Sequence, residues 1–188
     1  MQPTILTTER LVLRAPQEQH IDAIWASCQD PEIPRWTTVP SPYTRDHAEG
    51  FIQQVATDWQ SGSEAVWAML HDEDLVGMIG LHRIRPHEHG GEAELGYWVS
   101  PAGRGQGFLT EAGKQVIDWG FDELGLARIV WRAVVGNIPS ARSARALGFR
   151  YEGTLRQGLV SHRGRDDGWA ASLLPSDDRV PADWPVLG

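Results

Sequence analysis

One short segment constrains this chain more than any other. An apolar stretch ending at Val99 leads into a glycine-rich loop, Arg104-Gly105-Gln106-Gly107. Residues 107–124 follow with apolar side chains on one helical face and charged ones on the other, which predicts an amphipathic helix. Glycines let successive N–H groups turn toward one anion, and a helix N-terminus adds unpaired N–H groups with about half a positive charge. The segment therefore predicts a site for a phosphate or pyrophosphate.

The loop alone does not identify its ligand. No Gly-Lys-Ser/Thr follows it, so it is not a Walker loop. Its glycines are too closely spaced, and too far along the chain, for a Rossmann fingerprint. A glycine-rich turn that binds nothing is the alternative at this point.

The rest of the chain predicts mixed strands and helices. β-branched or alternating apolar runs indicate strands, and apolar spacings of three and four indicate helices. Strands are predicted at 5–15, 66–70, 75–84, 92–99, 128–135, 150–155 and 169–174, and helices at 17–28, 44–59, 107–124 and 139–147. Residues 31–43, with four prolines, predict a loop, with a short turn of helix within it as the alternative, and residues 162–168 predict a turn or mobile loop. The order predicts one mixed α/β domain over 1–175, with a sheet of six to seven strands flanked by helices, and a peripheral tail over 176–188.

Charge and composition exclude several classes of protein. A net charge of −8 argues against a nucleic-acid partner, because such proteins carry basic surfaces, and it suits a cationic substrate such as an amine. No apolar run reaches the length of a membrane span, and the first 16 residues lack a cleavable signal pattern, so we expect a cytoplasmic protein. The single cysteine, Cys28, cannot form an internal disulfide and is expected to be an inert packing residue.

Three histidines are candidate metal ligands by residue type. His82, His87 and His89 flank one predicted loop, with Glu88 and Glu92 close by. Scattered histidines rarely supply the geometry of a closed metal site, so an exposed polar loop is the favoured interpretation. We expect no metal.

Four segments, in order along the chain, resemble the GNAT acetyltransferase superfamily, and most closely its Rim-type branch, which includes ribosomal-protein N-terminal acetyltransferases. The segments are 93–99, 104–109, 137–140 with 146–153, and 163–174. The superfamily's loop reads Arg/Gln-x-x-Gly-x-Gly/Ala. Residues 104–109 match this motif except at its last position, where Leu109 replaces the small residue. Larger residues also occur at this position in the Rim-type branch. The resemblance spans roughly residues 5–175 and implies a GNAT fold with acetyl-CoA-dependent N-acetyltransferase activity.

The resemblance also implies how acetyl-CoA binds. The cofactor lies in a V-shaped opening between two parallel strands, which here are 92–99 and 128–135. Backbone groups of two strand residues and an asparagine contact the pantetheine arm, the loop donates N–H groups to the pyrophosphate, and a threonine adds a hydroxyl. The implied cofactor-binding residues are Trp98, Val99, Arg104, Gly105, Gln106, Gly107, Phe108, Leu109, Thr110 and Asn137.

Direct attack of an amine on a thioester needs a proton acceptor and a group that stabilises or protonates the thiolate. Glu94, which resembles the strand glutamate of some members, is the candidate base, with a structural or substrate-orienting role as the alternative. Glu92 and Glu64 are weaker candidates. Ser140 in Asn-x-x-Ser is the candidate acid, with helix capping as the alternative. The tyrosine that many members use corresponds here to Ala144.

The acceptor is predicted to be a primary amine, and the Rim-type resemblance favours a protein or peptide N-terminus. A small-molecule amine acetyltransferase on the same fold, a longer acyl donor and a non-catalytic acyl-CoA-binding module are alternatives. The acceptor is expected to enter opposite the cofactor, between the first helices, the 31–42 loop with Trp36, and the 155–168 hairpin. A homodimer is compatible with the sequence, which leaves the oligomeric state open.

Overall fold

The computed structural model describes all 188 residues. Eight strands are present: β1 (Leu6–Thr7), β2 (Val12–Arg14), β3 (Ala65–His71), β4 (Asp74–Arg85), β5 (Gly91–Val99), β6 (Leu126–Val134), β7 (Arg150–Ser161) and β8 (Gly164–Leu173). Five α-helices accompany them: α1 (Ile21–Ser27), α2 (Glu32–Trp36), α3 (Arg45–Ser61), α4 (Phe108–Asp122) and α5 (Ile138–Ala146). Short 3₁₀ turns cover Glu18–His20 and Pro101–Gly103. No helix is both long enough and apolar enough to span a membrane.

The strands form one mixed sheet in the order β1-β2-β3-β4-β5-β6-β8-β7, in which only β5 and β6 are parallel. The predicted mixed α/β fold is confirmed, with one strand more than the upper bound expected. The extra strand arises because the run predicted at 5–15 is broken into β1 and β2. The Thr8 N–H donates to the Leu11 carbonyl at 2.9 Å, which turns the chain back so that Leu6 pairs with Leu13.

A gap opens in the middle of this sheet. β5 and β6 pair from Gly91↔Leu126 to Glu94↔Val130 and no further. Beyond that point β5 stays with β4 as far as Val99, while β6 stays with β8 as far as Val134. The two parallel strands therefore diverge into a wedge whose facing edges have no ladder between them, and unpaired backbone groups are available there to a ligand.

Helix α4 packs closely on one face of the sheet. A Cβ added at Gly120 would lie 2.8 Å from a Leu81 methyl on the sheet, and one at Gly113 would lie 2.8 Å from a Leu147 methyl at the end of α5, so a larger residue at either position would displace a leucine side chain. Since neighbouring strand residues alternate in direction, Leu81 and Leu95 face α4, whereas His82, Glu94 and Gly96 lie on the opposite face.

Buried aromatic side chains fill the core. Trp59, Trp67 and Trp119 make mutual edge contacts with ring centroids 5.0 to 5.8 Å apart. The Trp59 indole N–H donates to the Val66 carbonyl, so its one polar atom is satisfied. Cys28 is 4% exposed, and this burial raises the pKa of its thiol to about 12.

The last two strands are longer than predicted, and the tail is packed instead of peripheral. β7 and β8 form a long hairpin through the segment predicted as a loop, because a terminal hairpin can form its backbone ladder without an apolar alternation. Near its tip, Arg163 donates to the Pro34 and Thr37 carbonyls and links the hairpin to α2. The tail packs on the domain instead of lying at its periphery: Trp184 is 3% exposed and donates to the Phe149 carbonyl at 3.2 Å.

Candidate active site

A cavity of about 1080 Å³ passes through the wedge between β5 and β6. On one face of the sheet it reaches the glycine-rich loop and the N-terminus of α5, and on the other it reaches α2 and the tip of the β7–β8 hairpin. All the residues singled out for catalysis or cofactor binding line this cavity except Gln106 and the weaker candidate base Glu92. The Gln106 side-chain amide instead donates to the Ala102 carbonyl at 2.6 Å.

The loop before α4 is shaped to present N–H groups. Gly105 and Gly107 have φ of +74° and +78°, a left-handed conformation that favours glycine. Gly107 is the N-cap of α4, and no side chain caps the helix, so the first-turn N–H groups of Phe108, Leu109 and Thr110 lack partners within the helix. Nothing lies within 4 Å of a Cβ built at Gly105, so this side of the loop is open to an anion.

Two arginines and two acids fix the loop in place. Arg104 forms an ion pair with Asp30 at 2.6 Å, joining the loop to the segment before α2. Arg10 donates to the Gln106 carbonyl at 3.1 Å, and its Nε donates to Glu111 on α4 at 2.7 Å. The hydrogen bonds from Thr8 and Arg10 lower the pKa of the Glu111 carboxyl despite its burial, so it stays ionised near neutral pH. The N-terminal segment thus braces the start of α4.

Three side chains meet at the N-terminus of α5. The Trp131 indole N–H donates to the Tyr97 hydroxyl at 3.1 Å and to Ser140 Oγ at 3.2 Å. The Tyr97 hydroxyl lies 3.0 Å from Ser140 Oγ and 3.1 Å from the Ser140 carbonyl. Burial raises the pKa of Tyr97 to about 12 even though both neighbours favour its ionised form, so the phenol is protonated at neutral pH. Asn137 caps α5 by accepting the Ser140 N–H at 3.3 Å.

The hydrogen atoms in this cluster can be assigned from what each group is able to donate. Trp131 can only donate, and a backbone carbonyl can only accept. If Tyr97 donates to the Ser140 carbonyl, the Ser140 hydroxyl hydrogen is free to point into the cavity. In that arrangement, the cluster leaves the Ser140 hydroxyl available to a ligand.

Glu94 lies on the opposite face of the sheet and is held by two guanidinium groups. Its Oε2 accepts from Arg83 at 2.8 Å and from Arg132 at 2.9 Å. Its side chain is 20% exposed. Glu92, the reserve candidate, pairs with Arg128 at 3.0 Å, outside the cavity.

Next to Glu94 the structure brings together a glutamate and a histidine. His82 Nδ1 and Glu64 Oε2 are 2.7 Å apart, and both side chains line the cavity. The interpretation of the three histidines as one exposed polar loop is therefore wrong for His82, which lies on β4 and is half-buried. His87 and His89 are exposed in the β4–β5 turn.

Comparison with known proteins assigns this arrangement to a family. A family model described as "Acetyltransferase (GNAT) domain" matches residues 10–150. The N-acetyltransferase YoaA of Bacillus subtilis is 32% identical over 155 residues, which cover 81% of this chain and 86% of that protein. The ribosomal-protein-serine acetyltransferase of Escherichia coli is 27% identical over 175 residues, covering 89% of this chain and 94% of that protein.

The chain belongs to the GNAT acetyltransferase family. Its relatives place it in the Rim-type branch, as the ordered motifs predicted. The fold of RimJ from Mycobacterium smegmatis, solved with a CoA-disulfide, superposes with a TM-score of 0.84 at 19% identity and covers 93% of this chain and 90% of that one. The predicted acetyl-CoA-dependent N-acetyltransferase activity is thereby confirmed at the level of the family, and a non-catalytic acyl-CoA-binding module is not favoured.

Sequence reasoning did not find every side chain in this GNAT site. Tyr97 was seen only as part of a strand motif, although it contacts Ser140. Arg10 and Asp30, which fix the loop, lie far from it in sequence and carry no motif. Two consecutive predicted strands, 66–70 and 75–84, bring the neighbourhoods of Glu64 and His82 together, but the sequence pattern does not fix which residues meet.

Proposed function

We propose that this enzyme transfers the acetyl group of acetyl-CoA to the α-amine of a protein or peptide N-terminus. The observation that carries the proposal is the cavity that passes through the wedge, with an N–H-rich loop on one face of the sheet and charged side chains on the other. Acetyl-CoA supplies an activated acetyl thioester. The loop from Arg104 to Thr110 binds its pyrophosphate, and the unpaired edge at Trp98 and Val99, with Asn137, binds the pantetheine arm.

Ser140 acts on the sulfur as the carbon–sulfur bond breaks. A thiol of this kind has a pKa near 8.5, so its thiolate is a far weaker base than a serine alkoxide. Ser140 therefore donates a hydrogen bond to the developing thiolate rather than giving up its proton, and the thiolate takes its proton from solvent. Tyr97 and Trp131 position the Ser140 hydroxyl for this, and such a donor is most effective when it is oriented beforehand.

For Glu94, the geometry favours the orienting role over the role of base. Two guanidinium groups occupy Oε2, the oxygen that would otherwise be free to accept a proton from the amine. These two ion pairs in turn hold the Arg83 and Arg132 side chains at the edge of the cavity, on the face of the sheet opposite to Ser140. Glu94 thus shapes the surface that the acceptor meets.

The acceptor class follows from the branch and from the walls of the cavity. The E. coli relative is named as acetylating a serine-bearing ribosomal protein, and that likeness extends over most of both chains. The segments expected to wall the acceptor line the cavity here, including Trp36 on α2 and residues 158–161 on the hairpin. Glu32 and Asp166 also line it and suit a cationic amine.

The test is release of free CoA from acetyl-CoA with a panel of amines. We expect turnover with peptides that have a free N-terminus and none with the same peptides after N-terminal blocking. Turnover of polyamines or free amino acids with no turnover of peptides would instead assign a small-molecule acceptor. Acetyl-CoA binding without turnover on any amine would contradict the proposal.

A further inference from the structure

We propose that His82 accepts the proton of the attacking amine and that Glu64 positions its imidazole for this step. The inference rests on the proposed acetyl transfer and adds the group that receives the proton.

The imidazole lies over a bare patch of the sheet. Gly80 on β4 and Gly96 on β5 are directly opposite each other. A Cβ at Gly96 would lie 2.8 Å from His82 Cδ2 and 2.9 Å from Nε2, and one at Gly80 would lie 3.2 Å from Nε2. The two glycines therefore make the space in which the ring sits.

This patch is at the mouth of the wedge. Glu94 is the last β5 residue paired with β6, and Gly96 is the second residue beyond it. The ring lies on the face of the sheet opposite to Ser140, so the two groups flank the opening from opposite sides. An amine that enters from the acceptor face meets His82, while the sulfur is on the side of Ser140.

Glu64 determines which ring nitrogen is free. Burial by itself would raise the pKa of Glu64, but the hydrogen bonds that its carboxyl accepts from His82 and from the Arg83 backbone outweigh this effect and hold the pKa below its usual range. An ionised carboxylate only accepts hydrogen bonds, so His82 Nδ1 carries the hydrogen and Nε2 has the lone pair. Nε2 makes no hydrogen bond within the protein, and it is not among the buried polar atoms that lack a partner, so it is accessible from the cavity.

The surrounding charges leave His82 as the available acceptor. Glu94 is directly opposite His82 on β5, but its Oε2 is already bound by two arginines. The charged side chains that face this part of the cavity from β3, β4, β5, β6, α2 and the β7–β8 hairpin are Glu64, Arg83, Glu94, Arg132, Glu32, Arg163 and Asp166.

The step balances without a further reactant. The amine nitrogen bonds to the acetyl carbon, the carbon–sulfur bond breaks, and the electron pair leaves with the sulfur. The amine proton moves to His82 Nε2 and then to solvent, and the thiolate takes a proton from solvent.

The decisive variant is His82→Gln, which keeps a donor toward Glu64 but provides no basic nitrogen. At pH 7 we expect kcat with the preferred peptide to fall at least tenfold, because a general base typically contributes about 10²–10⁴-fold. The loss should shrink above about pH 9, where the α-amine is largely neutral. The matched control is His89→Gln, an exposed histidine in the following turn, which should keep the wild-type rate and pH profile.

A measurement without substrate tests the same idea. Nitrogen NMR of the imidazole should find Nδ1 protonated and Nε2 unprotonated above neutral pH, and Glu64→Gln should weaken this preference and reduce kcat severalfold. Acetyl-CoA affinity and melting temperature should stay near wild type in both variants. The opposite tautomer in the wild type, or an equal loss of rate at every pH in His82→Gln, would overturn the assignment.

These outcomes are separate from those that test acetyl transfer. A wild-type enzyme that acetylates no amine defeats the proposed function. A wild-type enzyme that acetylates peptides, with His82→Gln retaining its rate and pH profile, defeats only the role of His82.

Discussion

In the proposed site, the two sides of the wedge are built from different parts of the chain. The donor side, residues 104–110 with the start of α5, consists largely of backbone N–H groups whose directions are set by glycines at positive φ. The acceptor side, Glu64, His82 and Glu94, consists of side chains held by ion pairs and hydrogen bonds. A backbone site suits a ligand that is the same in every family member, whereas a side-chain site can change with the acceptor.

Among the four variants that follow, Ser140→Ala is expected to have the largest effect, because it removes the one hydroxyl that the Tyr97–Trp131 cluster orients. We expect kcat to fall about 10²-fold, as for loss of an oriented hydrogen-bond donor, with acetyl-CoA affinity unchanged. Steady-state kinetics and calorimetry measure the two quantities. Ser143→Ala is the control, since that hydroxyl bonds only to the Pro139 carbonyl. An unchanged rate in Ser140→Ala would leave Ser140 as a helix residue alone.

Gly105→Ala tests whether the donor side depends on backbone shape. A side chain in the left-handed region costs about 1–2 kcal/mol, so we expect acetyl-CoA affinity to fall about tenfold. Gly125→Ala introduces the same strain at φ +60°, also in open space, but beyond the C-terminus of α4. It should lower the melting temperature without altering affinity. Equal affinity losses in both variants would mean that general destabilisation is the cause.

Glu94→Gln separates the two roles considered for this carboxylate. If it orients Arg83 and Arg132, kcat/KM should fall only about threefold to fivefold, because partly exposed ion pairs contribute about 1 kcal/mol or less. The shape of the pH profile should be unchanged. A loss of 10²-fold together with a lost acidic limb would make Glu94 the base and remove that role from His82.

Asp30→Asn should have the smallest effect of the four variants, and it should strengthen acetyl-CoA binding instead of weakening it. Arg104 must leave Asp30 if its guanidinium is to reach the pyrophosphate, so removing the acid should tighten acetyl-CoA binding about twofold, as expected for one partly exposed pair. The amide oxygen can still accept the Glu32 N–H at the start of α2. Asp22→Asn, which breaks a pair with Arg45 outside the cavity, should leave affinity unchanged. Weaker binding in Asp30→Asn would show that the ion pair holds the loop in its binding conformation.

The donor side could be predicted from the sequence because its elements are local. The strand, the glycines and the amphipathic helix are consecutive, and each has its own pattern. The start of α5 was found in the same way, from an asparagine and a serine three residues apart. The resemblance of these motifs to a family then supplied the identity of the ligand.

The acceptor side could not be predicted in the same way, because it depends on strand register. His71↔Asp74 alone would place Glu64 opposite Leu81, but an irregularity between Met69 and Leu70 shifts the pairing by one residue, to Ala65↔Leu81. Glu64 therefore lies opposite His82. A shift of one residue changes which side chains meet, and no residue pattern in the hairpin predicts this shift.

The environment of Cys28 has a practical consequence for measuring this enzyme. A thiol that is 4% exposed, with a pKa of about 12, has almost no thiolate at neutral pH and little contact with reagents in solution. As it is the only cysteine in the chain, a colorimetric thiol reagent added to the folded enzyme should report the CoA released in each turnover with almost no background. The same burial protects the protein from forming a mixed disulfide with its own product.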